Sequence, residues 1–414
     1  MDEKADLDKN DHRRLGQELD LFVFSDLVGA GLPLWTPRGT VIRAELDRYV
    51  QEMRDGYGFQ AVTIPHITKK DLYEKSGHWT KFKNDLFHVK SREGHEFAMK
   101  PMNCPHHAQI YASRPRSYRE LPIRYRETTM NYRDEQSGEL NGILRARSFT
   151  QDDAHVFCRE EDIVQEVLNL WDVVERFYKT LNFELSLRFS KRDPATSDAY
   201  AGTPELWELA EAELQKAMDK KGIKNEQEGL GDAAFYGPKL DFVAKDSLNR
   251  EWQVATIQLD FAQPEGLELT YTNDADEEKR PVMIHCAVMG SIERFLGVYI
   301  EHVSGRFPLW LAPEQLRVAT LNDDERVVEL AKAVVAKAKA QGLRVELDDS
   351  NESVGKKIRD AETMKVPYTV VIGSKEVESG QLSPRTRSDL SDKANTVGVD
   401  DFLEKLSQDA KSRL

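Results

Sequence analysis

The stretch PVMIHCAVMGSIERF, residues 281–295, decides the fold class. Residues 281–289 are apolar apart from His285, the pattern of a strand buried on both faces. Gly290-Ser291 punctuates the run, and a helix opens near Ile292 with Arg294 in its first turn. So apolar a strand needs neighbours on both sides, and a helix directly after it makes the architecture α/β. His285 inside the strand and Arg294 at the helix start are the two residues here that packing does not require.

Toward the N-terminus the pattern predicts a helix over 41–54 and a strand over 61–67 that closes on Pro65. A helix face recurs at Ile163, Val167, Leu170, Val174, Phe177 and Leu181. A polar turn at 136–141, flanked by Tyr132-Arg133-Asp134-Glu135 and Arg145-Ala146-Arg147, has the form of a hairpin. Residues 273–278 read as a solvated turn and 2–11 as a fraying terminus. Past Trp310-Leu311-Ala312-Pro313 the chain alternates. Strand-like runs at 316–321, 343–347 and 368–372 are separated by helical stretches at 325–341 and 353–365, and a last amphipathic helix covers 400–411. Strands spaced by helices of that length indicate βαβ units in a mixed or parallel sheet. The chain is accordingly divided into 1–312 and 313–414, the second part a small α/β domain.

Composition narrows the class. With 414 residues, 40% hydrophobic and 31% charged, the chain can bury two cores and is not disordered. No apolar run approaches the roughly 18 residues of a membrane span, and the charged first residues lack a secretory core. Three scattered cysteines suit a reducing cytoplasm rather than a disulfide framework. The net charge of −14 excludes a polybasic binder, although not a nucleic-acid partner met by one domain.

Cys104, His155 and His285 form a plausible zinc set, a soft thiolate with two imidazoles and one position left open. Their spacing fits no local zinc signature, and His66, His106, His107 and His302 are equally eligible on residue type. Cys158 and Cys286 read as small buried hydrophobes. Arg133, Arg145, Arg147 and Arg294 suit a polyphosphate, with surface ion pairing as the plain alternative. Neither a Walker loop nor a GxGxxG fingerprint is present. Pattern alone stops at a soluble two-domain protein with arginines arranged for a nucleotide.

Motif order goes further. KSGHW, KPMNCP, YRDE, RARSFTQDDAH, FYGPKLDF, IQLDF and VMIHCAVMGSIERF, in that order, resemble the catalytic core of the threonyl-tRNA synthetases. NESVGKKIR, VPYTVVIG and KEVESGQLSPRTR resemble the anticodon-binding domain of the same family. The resemblance implies a class II synthetase antiparallel sheet flanked by helices over 1–312, then a small α/β anticodon-binding domain with a mixed sheet over 313–414. It implies activation of L-threonine with ATP and Mg2+, transfer to tRNA(Thr), one Zn2+ per subunit and a homodimer built around Pro65.

Residue by residue, the resemblance puts Arg133 on the α-phosphate and substrate carboxylate, Glu135 and Phe149 at adenine, Arg145 at the γ-phosphate and Arg294 beside purine and phosphates. Cys104, His155 and His285 become the zinc ligands. Met102, Gln151, Asp153, Tyr236, Gln253, Gln258 and Ser291 become pocket residues, with Asp153 accepting from the threonine hydroxyl. Asn351, Arg359, Glu376 and Arg385 fall where anticodon bases are read, and Lys356 and Lys357 where phosphates are met. The chain also departs from the family. His106 and Ser148 replace glycines, the glycine usual before the second-motif arginine is missing from 127–131, Cys286 replaces an arginine, Lys365 another arginine and Gln263 a leucine. These substitutions imply an altered rim around the amino-acid pocket.

Overall fold

A computed structural model describes residues 8–223, 227–246, 250–390 and 395–413. They form two compact units, one of 24–33 with 47–298 and one of 1–23 with 34–46 and 299–414.

The larger unit is built on eight strands in the order Gln227–Leu230, Leu185–Lys191, Lys239–Lys245, Glu251–Asp260, Val282–Ser291, Ser148–Cys158, Ile123–Tyr132 and Gln60–Ala61. The six central strands are antiparallel and both edge strands join in parallel, so the sheet is mixed at its margins. Val282–Ser291 sits between Glu251–Asp260 and Ser148–Cys158, and every residue from Val282 to Met289 is buried. The continuous apolar run at 282–289 therefore reflects a central strand covered on both faces. Gly290 turns the chain with φ +64°, which a glycine adopts at no steric cost, and helix Ile292–His302 follows.

Helices Ile163–Thr180 and Pro204–Lys221 cover one face of this sheet. Trp171 meets Phe242 edge-on at 5.3 Å, and the Tyr178 hydroxyl donates to the Val288 carbonyl at 2.8 Å. The 61–67 strand is a correction. Gln60–Ala61 belongs to the large sheet, whereas Ile67–Lys69 joins Glu96–Met99 and His88–Lys90 in a separate three-stranded sheet. Pro65 brings no N–H to a ladder, and the Ile64 N–H goes to the Glu127 carboxylate at 3.0 Å instead.

In the second unit, Val345–Asp348, Leu316–Thr320 and Tyr368–Ile372 are parallel neighbours, and Arg385–Thr386 adds an antiparallel edge. Of helices Glu325–Ala340, Val354–Thr363 and Val399–Ser412, the first and last bring Val334 and Leu403 to a core with Leu316, Val318, Val370 and Ile372. Asp324 and Ser353 cap the first two of these helices through side-chain oxygens. The expected small mixed-sheet domain is present. Of the terminus at 2–11, residues 1–7 lie outside the described residues. Asp11 does not fray but caps helix His12–Glu18.

Candidate active site

Strand periodicity assembles the site. On Ser148–Cys158, the residues Phe149, Gln151, Asp153 and His155 follow one another at every second position and share a face. On the next strand His285 lies directly opposite His155, and on the strand beyond, Gln258 lies opposite His285. A bulge leaves Val254 unpaired, so that Gln253 joins Thr256 and Gln258 in lining the site.

A cavity of about 280 Å³ is lined by Met102, Arg133, Glu135, Arg145, Phe149, Gln151, Gln253, Gln258, Ser291 and Arg294, among others. All five residues expected around ATP are there. The Arg133 guanidinium lies over the Phe149 ring at 5.1 Å. Burial and the Arg294 guanidinium push Arg133 below the usual arginine range, and burial with Arg145 does the same to Arg294. Three guanidinium groups thus converge on one cleft, and their mutual repulsion is what a polyphosphate relieves. Arg145 is occupied by Glu135 at 2.7 Å and Glu139 at 2.9 Å. Ser291 lies opposite Gln151, and its Oγ accepts from the Arg294 N–H at 3.2 Å.

Asp153, Tyr236, Cys104, His155 and His285 do not line this cavity; all five are buried, and Gln258 links them to it. The Tyr236 hydroxyl donates to Gln258 Oε1, and its ring stacks on His285 at 4.7 Å. Ligand-capable atoms of Cys104, His155 and His285 all lie within 4.8 Å of one another. His155 Nε2 is 3.0 Å from His285 Nδ1. Burial pushes the Cys104 thiol up and His155 down, each disfavouring the charged form. One cysteine sulfur and two imidazoles in a dry site are the donor set of a tetrahedral zinc with one open position, the thiol giving up its proton on binding, so the residues fit that ion.

Outer groups orient these donors. Asp260 accepts from His285 Nε2 at 2.9 Å while holding the N–H groups of Ala262 and Gln263. His107 Nδ1 is 2.8 Å from His155 Nδ1, and its Nε2 is 3.4 Å from Glu127. His78 Nε2 reaches Cys104 Sγ at 3.5 Å. Metal-binding histidines are held by such partners. Sequence reasoning gave His78 and Asp260 no role, although KSGHW and IQLDF contain them. Lys100 and Asn103, also missed, stand in KPMNCP.

The expected rim changes do not reach the guanidinium cavity, although Gln263 stands beside the Cys/His/His set. His106, Gln263 and Cys286 are buried, and none lines the cavity. Gln263 turns inward because its Nε2 donates to Asp260 at 2.7 Å. Cys286 takes the opposite strand face from His285, and its carbonyl accepts from Arg54 at 3.3 Å. His106 packs edge-on to Tyr73 at 6.1 Å, and its ring nitrogens find no partner among the described residues.

In the second unit Asn351, Arg359 and Arg385 are exposed, and Glu376 is half-buried. Asn351 and Glu376 follow the C-terminal ends of two parallel strands, Arg359 lies on helix Val354–Thr363, and Arg385 begins the edge strand. One Glu376 oxygen is engaged by the Gly373 N–H at 2.9 Å. Lys357 is a second correction. It is buried and donates to the Thr320 carbonyl at 3.0 Å and the Asp348 carbonyl at 3.2 Å, tying two strand ends together. Lys356 is exposed and paired with Glu352 at 2.8 Å.

Residues 87–303 match the family described as the tRNA synthetase class II core domain (G, H, P, S and T), and residues 315–409 match the anticodon binding domain. The chain belongs to the class II aminoacyl-tRNA synthetases. Within that class its relatives are threonine–tRNA ligases. The Pelodictyon phaeoclathratiforme enzyme is 46% identical over 404 residues, covering 96% of this chain and 61% of that protein. The Phocaeicola vulgatus enzyme is 44% identical over 409 residues, covering 98% and 62%. The chain therefore spans about six-tenths of the length of these curated relatives. The solved RNA binding domain of threonyl-tRNA synthetase from Cryptosporidium parvum Iowa II aligns with TM-score 0.90 and 37% identity, over 96% of this chain and 98% of that one. Among the described residues, no helix is long and apolar enough to cross a membrane.

Proposed function

We propose that this chain activates L-threonine with ATP and transfers it to tRNA(Thr). The observation that carries the reading is the junction at Gln258. This residue lines the guanidinium cleft and also holds Tyr236 over His285, so a nucleotide site and a Cys/His/His site share a wall.

Adenylation is an in-line displacement at the α-phosphorus by the amino-acid carboxylate. It needs fixed positive charge and alignment more than a general base. Arg133 would hold the α-phosphate and the carboxylate, Arg145 and Arg294 the remaining phosphates and purine, and Phe149 with Glu135 the adenine. Arg145 would exchange Glu135 for phosphate oxygens as ATP enters. Magnesium accompanies the pyrophosphate. Zinc bound by Cys104, His155 and His285 would supply an electrophile for the amino group and β-hydroxyl of threonine, which isosteric valine cannot fully meet. Asp153 would accept from that hydroxyl, with Met102, Gln151, Gln253 and Ser291 around the substrate.

The anticodon-binding part, 313–414, would read bases through Asn351, Arg359, Glu376 and Arg385. The catalytic part, 1–312, would dimerise at the sheet edge formed by Gln60–Ala61, where the half-exposed Ile67 lies near an open groove over residues 61–66. Three free, buried cysteines suit a cytoplasmic enzyme. The test is charging of tRNA(Thr) with labelled threonine by the purified chain, with and without Arg385→Ala. Charging that weakens in the variant supports the reading. Adenylate formation with no charging of tRNA(Thr) at any concentration would overturn the transfer half of it.

A further inference from the structure

Asn103 lies between a buried cation and a buried carboxylate. Lys100 has no solvent exposure, and its Nζ donates to Asn103 Oδ1 at 2.8 Å and to Thr129 Oγ1 at 2.9 Å. Asn103 Nδ2 donates to Asp153 Oδ2 at 2.9 Å. Asn103 is as deeply buried as Lys100, and Asp153 is buried beside it.

An amide side chain can turn over, exchanging its oxygen and its NH2 with little change in shape. An ammonium cannot change role, because it has donors and no acceptor. Beside Lys100, only the amide oxygen of Asn103 is tolerated, and this forces the NH2 toward Asp153. One oxygen of Asp153 is then satisfied permanently by a donor. The other, Oδ1, is 3.7 Å from His155 Nε2, on the side of the Cys/His/His set.

We infer that Lys100 is a positioning residue for amino-acid specificity: by dictating the polarity of Asn103 it leaves Asp153 with one fixed oxygen and one oxygen for the substrate hydroxyl. This rests on the reading of Asp153 as the hydroxyl acceptor. Without the cation, Asn103 could turn its oxygen toward Asp153, and two acceptors would face each other beside the substrate. The carboxylate would then rotate away from the opposing amide oxygen, and that rotation spoils its fit to a hydroxyl. The Lys100 side chain does not line the arginine cleft, so its effect should fall on the amino acid rather than on ATP.

Two substitutions address this in the full chain, read by ATP–pyrophosphate exchange with threonine and ATP varied separately. Lys100→Met removes the cation at similar length. Asn103→Asp keeps a partner for Lys100 but removes the donor to Asp153, so it remains informative if the first variant folds poorly. Each is expected to raise the KM for threonine roughly tenfold, the scale of one misdirected buried hydrogen bond. The KM for ATP should stay near that of the unsubstituted chain, and each variant should still unfold cooperatively at the assay pH. Threonine-dependent exchange by the unsubstituted chain tests the functional reading on its own. On that active background, an unchanged threonine KM in a folded variant, or an equal rise for ATP, would overturn the positioning role alone.

Discussion

Arg54 Nη2 lies 3.1 Å from Asp152 Oδ2, and neither side chain is exposed to solvent. The same nitrogen reaches the carbonyl of Cys286, where the family usually carries an arginine. Asp152 also accepts from the N–H groups of Val288 and Met289 at 2.8 and 2.9 Å. Burial, opposed by Arg54 and the two N–H groups, leaves its carboxyl pushed up to about 7. Arg54 thus brings a cation from a helix to the strand position where the resemblance leads one to expect an arginine. Arg54→Leu should cost about 3–5 kcal/mol, as expected when one partner of a buried ion pair is removed. Arg54→Leu combined with Cys286→Arg should recover at least half of that loss in denaturant unfolding. A double variant no more stable than the single one would contradict the exchange.

Lys100 gives a pH dependence of definite sign. Burial lowers its pKa from 10.5 to about 8, with Glu127 and Asp153 opposing. The unfolded chain thus binds the proton more tightly, and stability contributed at this site rises between pH 8 and 10.5. Below that window the fold carries the cost of the buried cation, on the order of 2–3 kcal/mol after allowing for partial screening. The stability difference between Lys100→Met and the unsubstituted chain should therefore shift against the variant by up to that amount as pH rises through the window. A difference flat with pH would show that Lys100 does not titrate as described.

Serine retains the hydroxyl of threonine and lacks one methyl group. A pocket that selects by hydroxyl recognition separates the two by little more than the burial of that methyl, roughly 10- to 200-fold. Ser-tRNA formation by this chain should accordingly be measurable alongside threonylation. Threonylation with serine charging below about one part in a thousand would require a further discriminating element in these residues.

The stretch at 281–295 was legible because a central strand has one pattern and a glycine break another. Residues Phe149, Gln151, Asp153 and His155 were found through motif resemblance, and period-two geometry explains why they stand together. The Cys/His/His set could not be read from spacing, because Cys104, His155 and His285 come from a helix start and two strands joined only by register. The departure at Cys286 was misplaced to a rim, since sequence alone does not show which face of a strand is covered, whereas Gln263 does stand beside the Cys/His/His set. Lys357 was misread for a similar reason, as a lysine bonded to strand-end carbonyls looks no different in sequence from one in solvent.

Hydroxyl recognition of threonine beside an ATP cleft is what the proposed function rests on. Its most direct measurement is the ratio of kcat/KM for threonine over valine in ATP–pyrophosphate exchange with zinc-loaded protein. A site whose buried polar groups are met only by the hydroxyl predicts a ratio of roughly 10⁴ or more. A ratio below about 200, the most an apolar pocket provides, would contradict the account.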